Sequence, residues 1–246
     1  MTGHMIIAKD YDDLSRRAAL AIAGFIRTNP DALLCLAAGD TPLGTFRELI
    51  RLQSEGSVDL SSVYYAGLDE WVGLGPDDTG SCRQVMRDNF YAPARIPMDR
   101  IHVFDGLDDP AAQYAAMNAW LRARGAIGLA LLGIGMNGHV GFNEPGTPEA
   151  EGALVISLDE VTKKISEKYF DKKQPVTKGI TIGLTTLMKA RQTLIIASGE
   201  NKAPIVKQAF CEPKSKSVPA SVFQDHPELT LLLDEAAAKS IAGTNS

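Results

Sequence analysis

The sequence predicts an α/β protein organised around a doubly wound, mostly parallel sheet with helices on both faces. Three observations predict it. Short apolar runs with strand character alternate with amphipathic helical patterns, the signature of βαβ units. No linker rich in proline, serine and glycine interrupts the 246 residues and no solenoid-length repeat is present, so the chain reads as one Rossmann-like domain, 1–246. A balance of 45% hydrophobic to 22% charged residues is that of a globular chain able to bury a sizeable core.

In chain order, residues 1–4 (MTGH) are read as an expression remnant ahead of a natural start at Met5. A helix is expected over 11–28, where apolar residues recur at helical spacing, followed by a buried strand in "LLCLA" (33–37). The next helix, 42–53, has Pro42 at its first position, which suits the fixed φ of proline. "VYYAGL" (63–68) reads as a strand, then helices over 81–91 and 110–124, the second again opened by proline. "IGLALLG" (127–133), "GITIGL" (179–184) and "TLIIAS" (193–198) complete the expected strands, and a helix over 201–210 follows the last of them.

Several function classes are excluded by composition. The net charge is −5 and the densest basic runs are pairs, Arg16-Arg17, Lys163-Lys164 and Lys172-Lys173, which read as solvated helix faces rather than a nucleic-acid surface. A small anion needs only one or two cations and fits this balance. Cys35, Cys82 and Cys211 are far apart, with no CxxC and no histidine at zinc spacing; Cys35, inside "ALLCLAA", reads as a buried structural thiol. No run approaches the ~20 apolar residues of a membrane span and no signal core opens the chain, so the expectation is a cytoplasmic protein with no membrane partner.

In open α/β sheets ligands bind beyond the carboxyl ends of strands, which directs attention to three loops. In "LAAGDTPLGTF" (36–46), Gly39 permits a tight turn, Thr41 can cap a helix, and the amides of the helix start would attract an anion. A carboxylate beside an anion cradle would repel the ligand, so Asp40 is expected to cap the helix instead. In "GLDEWVGLGPDDTGSC" (67–82), Asp69 and Glu70 would point to opposite sides of a continuing strand, one toward the crevice and one into local hydrogen bonds. In "LLGIGMNGHVGFNEPGTP" (131–148), Gly135 and Gly138 relieve the backbone so that the turn presents His139, a group able to move protons near neutral pH, with Glu144 placed to orient it.

With "AGDTPLGTF", "LDEWVGL", "LGIGMNGHVGFNEPGT", "GITIGL" and "SGENKA" in this order, the sequence resembles the glucosamine-6-phosphate deaminase family, which shares its fold group with the 6-phosphogluconolactonases. The resemblance runs nearly end to end. It implies conversion of a 2-amino-2-deoxyhexose 6-phosphate and water to a ketohexose 6-phosphate and ammonia, with no metal or organic cofactor. It further implies that His139 assists opening of the sugar ring, that Asp69 carries a proton between C2 and C1, and that Glu144 supports His139. For the phosphate it points to Gly39, Thr41 and Lys202, and to Lys168 where many relatives have an arginine. A lysine keeps the charge but not the two-pronged hydrogen bonding.

The sequence departs from the family's pattern in two places. Asn137 stands where several relatives pair an aspartate with the histidine; its side-chain carbonyl is expected to fix the imidazole tautomer without the charge of a carboxylate. Leu154 and Ile156 stand where allosteric relatives carry a basic pair, so no activation by N-acetylglucosamine 6-phosphate is expected, and a monomer or small homo-oligomer rather than a hexamer. "NGH", "GITIGL" and "SVPAS" also resemble a branch acting on galactosamine 6-phosphate, which leaves the epimer open. A lactonase is disfavoured by "DEW" and "FNEP", and a non-catalytic sugar-phosphate sensor by the absence of a DNA-binding helix-turn-helix ahead of the first helix.

Overall fold

The computed structural model describes residues 3–170 and 176–241; the pair Lys172-Lys173 lies outside them. Among the described residues ten strands and seven α-helices follow one another, beginning with β1 (His4–Ala8), α1 (Tyr11–Thr28), β2 (Leu33–Leu36), α2 (Leu43–Ser54), β3 (Tyr64–Gly67), β4 (Asp69–Trp71) and α3 (Cys82–Met86). Then come β5 (Ile101–His102), α4 (Pro110–Arg124), β6 (Leu129–Gly133), β7 (Ala153–Ser157), α5 (Glu160–Ser166) and β8 (Lys178–Ile182). The last elements are α6 (Leu184–Met188), β9 (Gln192–Ala197), α7 (Ala203–Cys211) and β10 (Leu229–Asp234).

Seven strands form a sheet in the order β1-β10-β9-β6-β2-β3-β5, parallel at every pairing. Both faces are covered, and the side chains divide between them with the two-residue period of a strand. Leu34 and Leu36 of β2, with Leu129 and Leu131 of β6, join the core under α1 and α2, while Leu33, Cys35, Ala130 and Leu132 join the core on the opposite face. Burial pushes the Cys35 thiol far up, in keeping with a structural role. Local chemistry sets the helix starts: the Asp10 side chain accepts from Asp13 N at the head of α1, and that of Asp109 from Ala112 N ahead of Pro110 in α4.

The structure corrects the expected strand set at several points. "GITIGL" does not join the parallel sheet; β8 is the middle strand of a separate three-stranded antiparallel sheet, β4-β8-β7. The chain transfers between sheets at Leu68, whose carbonyl accepts from Ile182 N at 2.9 Å. Strands β1, β5, β7 and β10 also lay outside the expected set, β1 starting at His4 within the segment read as a remnant. The helix expected over 81–91 is α-helical only through Met86 and continues as a π turn, Arg87–Tyr91, which stacks Phe90 on Phe46 at 4.8 Å.

Leu131 is fully buried at the middle of the sheet between β2 and β9. Leu131→Ala should lower unfolding free energy by about 3 kcal/mol in urea titrations, the usual result of a cavity in a tightly packed centre. A loss below about 1 kcal/mol would mean that this strand does not anchor the two cores.

Candidate active site

The first component forms where β3 gives way to β4. Glu70 is 1% exposed and its carboxylate is saturated: Oε1 accepts from Trp71 N at 2.8 Å and Cys82 N at 3.0 Å, while Oε2 accepts from Ser81 Oγ and Arg83 N, both at 2.8 Å. It therefore pins the loop 72–81 and the start of α3. Burial pushes its pKa up, and the four donors only partly oppose this. Asp69, the residue before it on β4, borders a small cavity with Cys82, Leu36 and Gly67, a cavity that Glu70 also lines. Burial and then the neighbouring Glu70 charge raise its pKa to about 7, with the Cys82 thiol pulling in the opposite direction.

The second component is the glycine-rich turn after β6. Gly135 N donates to the His139 carbonyl at 2.9 Å and Gly138 N to the Gly135 carbonyl at 3.0 Å, with Gly138 at φ +83°. The imidazole lies directly against Gly135: a Cβ there would sit 2.3 Å from the ring. His139 Nδ1 is 3.1 Å from Thr162 Oγ1 and 3.4 Å from Glu144 Oε2. Glu144 is almost fully buried; burial pushes its pKa up, but His139, Thr162 and Asn137 outweigh this and hold it below the usual carboxylate range. Asn137 does not touch the imidazole with its carbonyl, contrary to expectation. Its Oδ1 accepts from the main-chain N of His139 at 3.2 Å and its amide donates to Glu144 Oε2 at 2.9 Å, so it orients the carboxylate and the turn rather than the ring.

These two components meet across β8. Phe142 N donates to Thr181 Oγ1 at 3.2 Å and Asn143 Nδ2 to the Ile182 carbonyl at 2.9 Å, while Asp69 pairs with Thr181 in the antiparallel register. Gly141, at φ +56°, is so close that a Cβ would stand 3.3 Å from Asp69 Oδ2. The carboxyl of Asp69 thus sits beside the turn that carries His139 two residues earlier.

The third component gathers the residues expected to hold an anion. Gly39 adopts φ +102°, a value that favours glycine. Contrary to expectation, neither Asp40 nor Thr41 caps α2; the cap position is Pro42, with no side-chain bond. Instead Tyr11 fixes this corner, its hydroxyl accepting from Gly44 N at 2.8 Å and donating to the Thr41 carbonyl at 3.0 Å. The Asp40 carboxylate, relieved of capping, accepts from Lys168 Nζ at 2.7 Å and Tyr169 Oη at 3.3 Å. Lys202, at the cap position of α7, donates to the Ile134 carbonyl at 2.7 Å. Burial, and then the positive charge of Lys168, lower its pKa, and Asp40 opposes the shift, so the three charged groups feel one another.

Two residues of this region escaped sequence reasoning. Thr162, buried on α5, carries no motif, and only the docking of α5 onto the glycine-rich turn reveals it. Asp234 closes β10 and accepts from Ser198 Oγ, Gly199 N and Ala237 N, holding the loop that delivers Lys202. An acid at the end of the apolar run "LTLLLD" was its available signal. Leu154 and Ile156 lie on β7, Ile156 packed against a small cluster with Trp71 and Phe142. Among the described residues no cluster of three or more His, Cys, Asp or Glu is arranged as metal donors, and no helix is long and apolar enough to cross a membrane.

Residues 9–231 match the model of the glucosamine-6-phosphate isomerases/6-phosphogluconolactonase family. A glucosamine-6-phosphate deaminase of Lachnoclostridium phytofermentans is 40% identical over 93% of this chain and 98% of its own length, and one from Halothermothrix orenii is 38% identical over 95% and 98%. Among solved structures, a monomeric glucosamine-6-phosphate deaminase superimposes with a TM-score of 0.92 at 34% identity, covering 96% of this chain and 99% of that one. A 6-phosphogluconolactonase from Leishmania guyanensis has a TM-score of 0.80 at 19% identity over 99% of this chain and 100% of that one, a likeness of fold.

The contact between Gly135 and the imidazole yields a direct test. Gly135→Ala should push the ring off Thr162 and Glu144, moving the His139 ring signals in NMR spectra, and a displacement of this size at a group that takes part in a reaction costs about a hundredfold in turnover. Unchanged ring signals would show that the turn has room for a methyl group.

Proposed function

The chain belongs to the family of glucosamine-6-phosphate isomerases and 6-phosphogluconolactonases, and from that premise we propose that it is a deaminase converting glucosamine 6-phosphate and water to fructose 6-phosphate and ammonia. The observation that carries the proposal is the approach of the Asp69 carboxyl to the His139 turn across Gly141, with the Asp69 pKa raised to about 7. An aldose to ketose shift needs one base that removes a proton and returns it to the neighbouring carbon, and such a base works best with a pKa near the working pH. The full-length likeness to deaminases near 40% identity favours this reaction over lactone hydrolysis.

In the proposed reaction His139, with Nδ1 engaged by Thr162 and Glu144, exchanges a proton with the ring oxygen through its other nitrogen and opens the pyranose. The ionised carboxyl of Glu144 stabilises the imidazolium formed on the way. Ionised Asp69 then takes the C2 proton as O1 of the open-chain aldehyde gains one from water, giving an enolamine between C1 and C2, and delivers its proton to C1 while the nitrogen returns one to water. The resulting C2 imine adds water and expels ammonia, leaving the ketose. Gly39, Thr41, Lys168 and Lys202 hold the phosphate at the other end of the substrate. The monomeric deaminase among the structural neighbours supports a chain that works without a hexameric partner set.

Ammonia and ketose phosphate should both appear from glucosamine 6-phosphate, assayed beside galactosamine 6-phosphate to decide the epimer; formation of neither product from either sugar overturns the reading. Asp69→Asn should lower kcat by about three orders of magnitude while inhibition by inorganic phosphate persists. Retained turnover would remove Asp69 from the proton shuttle.

The raised pKa of Asp69 also sets a pH profile. Protonated Asp69 cannot accept the C2 proton, so kcat should fall as pH drops below about 7. Stability moves the other way, because the folded state binds this proton more tightly than the unfolded chain. The contribution is fully favourable below the ordinary aspartate value of 3.8 and is lost as pH rises toward about 7. Comparing urea midpoints of the parent and Asp69→Asn across that window should show the slope shrinking in the variant.

A further inference from the structure

We propose that Asp40 is a built-in competitor for the substrate's phosphate: its carboxylate occupies the Lys168 ammonium in the free protein and must be displaced when a phosphate enters. This rests on the reading of Gly39, Thr41, Lys168 and Lys202 as the phosphate cradle. The side chain of Asp40 has no structural duty in α2, since the helix starts at Leu43 with no side-chain cap and only the Asp40 main-chain carbonyl accepts from Leu43 N. One of its oxygens collects both Lys168 Nζ at 2.7 Å and the Tyr169 hydroxyl at 3.3 Å, two donors equally suited to a phosphate oxygen. The pair is open to water, with side chains 53% and 63% exposed, and an ion pair so exposed is held weakly enough to exchange. Lys202, by contrast, is anchored on the Ile134 carbonyl and close enough to sense both charges of the pair.

The consequence is selectivity by charge. A singly charged anion gains little by replacing Asp40 on Lys168, because it exchanges one carboxylate-like partner for another. A phosphate dianion engages Lys168 and Lys202 together and outcompetes the resident carboxylate. Asp40 thereby rejects weak anions and speeds departure of the product, at the expense of affinity for the substrate.

The experiment is calorimetric titration of inorganic phosphate into the parent protein, Asp40→Asn, Lys168→Met and the double variant, with thermal melts confirming that each is folded. Asp40→Ser provides a second, shorter replacement. Asp40→Asn and Asp40→Ser should each bind phosphate about three- to tenfold more tightly, from removal of a nearby like charge. In the Lys168→Met background the gain should fall to less than half of that factor, because the seat being contested is gone. Unchanged or weaker binding in the Asp40 variants, or a gain independent of Lys168, overturns the proposal. Because titration requires no turnover, tighter phosphate binding in a protein that releases no ammonia would sustain this proposal while ending the deaminase reading. Failure of all variants to bind phosphate in an active deaminase would do the reverse.

Discussion

The site depends on the antiparallel pairing of β4 with β8. A parallel strand that simply ended at Gly67 would leave residues 68–71 in a loop, free to place an acid anywhere along the sheet edge. Here the Leu68 carbonyl is captured by Ile182 N and Asp69 is set opposite Thr181, so the carboxyl is delivered by a strand rather than by a loop. Thr181 also accepts from Phe142 N on its side chain, and Ile182 accepts from Asn143. Two adjacent residues of β8 thus hold both the acid-bearing segment and the histidine-bearing turn, and rigid elements position reacting groups more closely than loops do.

Three carboxylates within this framework are tuned to different ends by their surroundings. Glu70 is saturated with donors and serves as a buried brace for α3. Glu144 is buried too, but hydrogen bonds from its neighbours hold it ionised next to the imidazole. Asp69 borders a small cavity with burial and a like charge beside it, and these keep its proton available near neutrality. Environments that push such groups apart are the means by which one fold separates a fixed charge from a proton carrier.

Much of this was legible in the sequence, and the reasons are specific. Strands β2 and β6 are buried on both faces, so their apolar runs were unmistakable, while α1 carried a clear helical spacing of apolar residues and α4 a proline at its first position. The strand-end loops with Asp69, His139 and Glu144 could be found because glycine and polar residues interrupt apolar runs there. What the sequence left hidden was set by tertiary partners. "GITIGL" has the composition of a parallel core strand, yet it is sandwiched between β4 and β7 in antiparallel register, a distinction that composition does not encode. The two-residue β5 carries too little pattern to detect. Asp40 followed the statistics of a helix cap, but Tyr11 had already secured that corner from 30 residues away, freeing the acid to meet Lys168.

The partnership of Asp69 with Thr181 also joins segments roughly 110 residues apart along the chain. Closing so long an intervening stretch is slow compared with forming local βαβ units. β2 and β3, by contrast, are neighbours along the chain as well as in the sheet. The seat of Asp69 is therefore a non-local one: it exists only once residues 178–182 lie between β4 and β7.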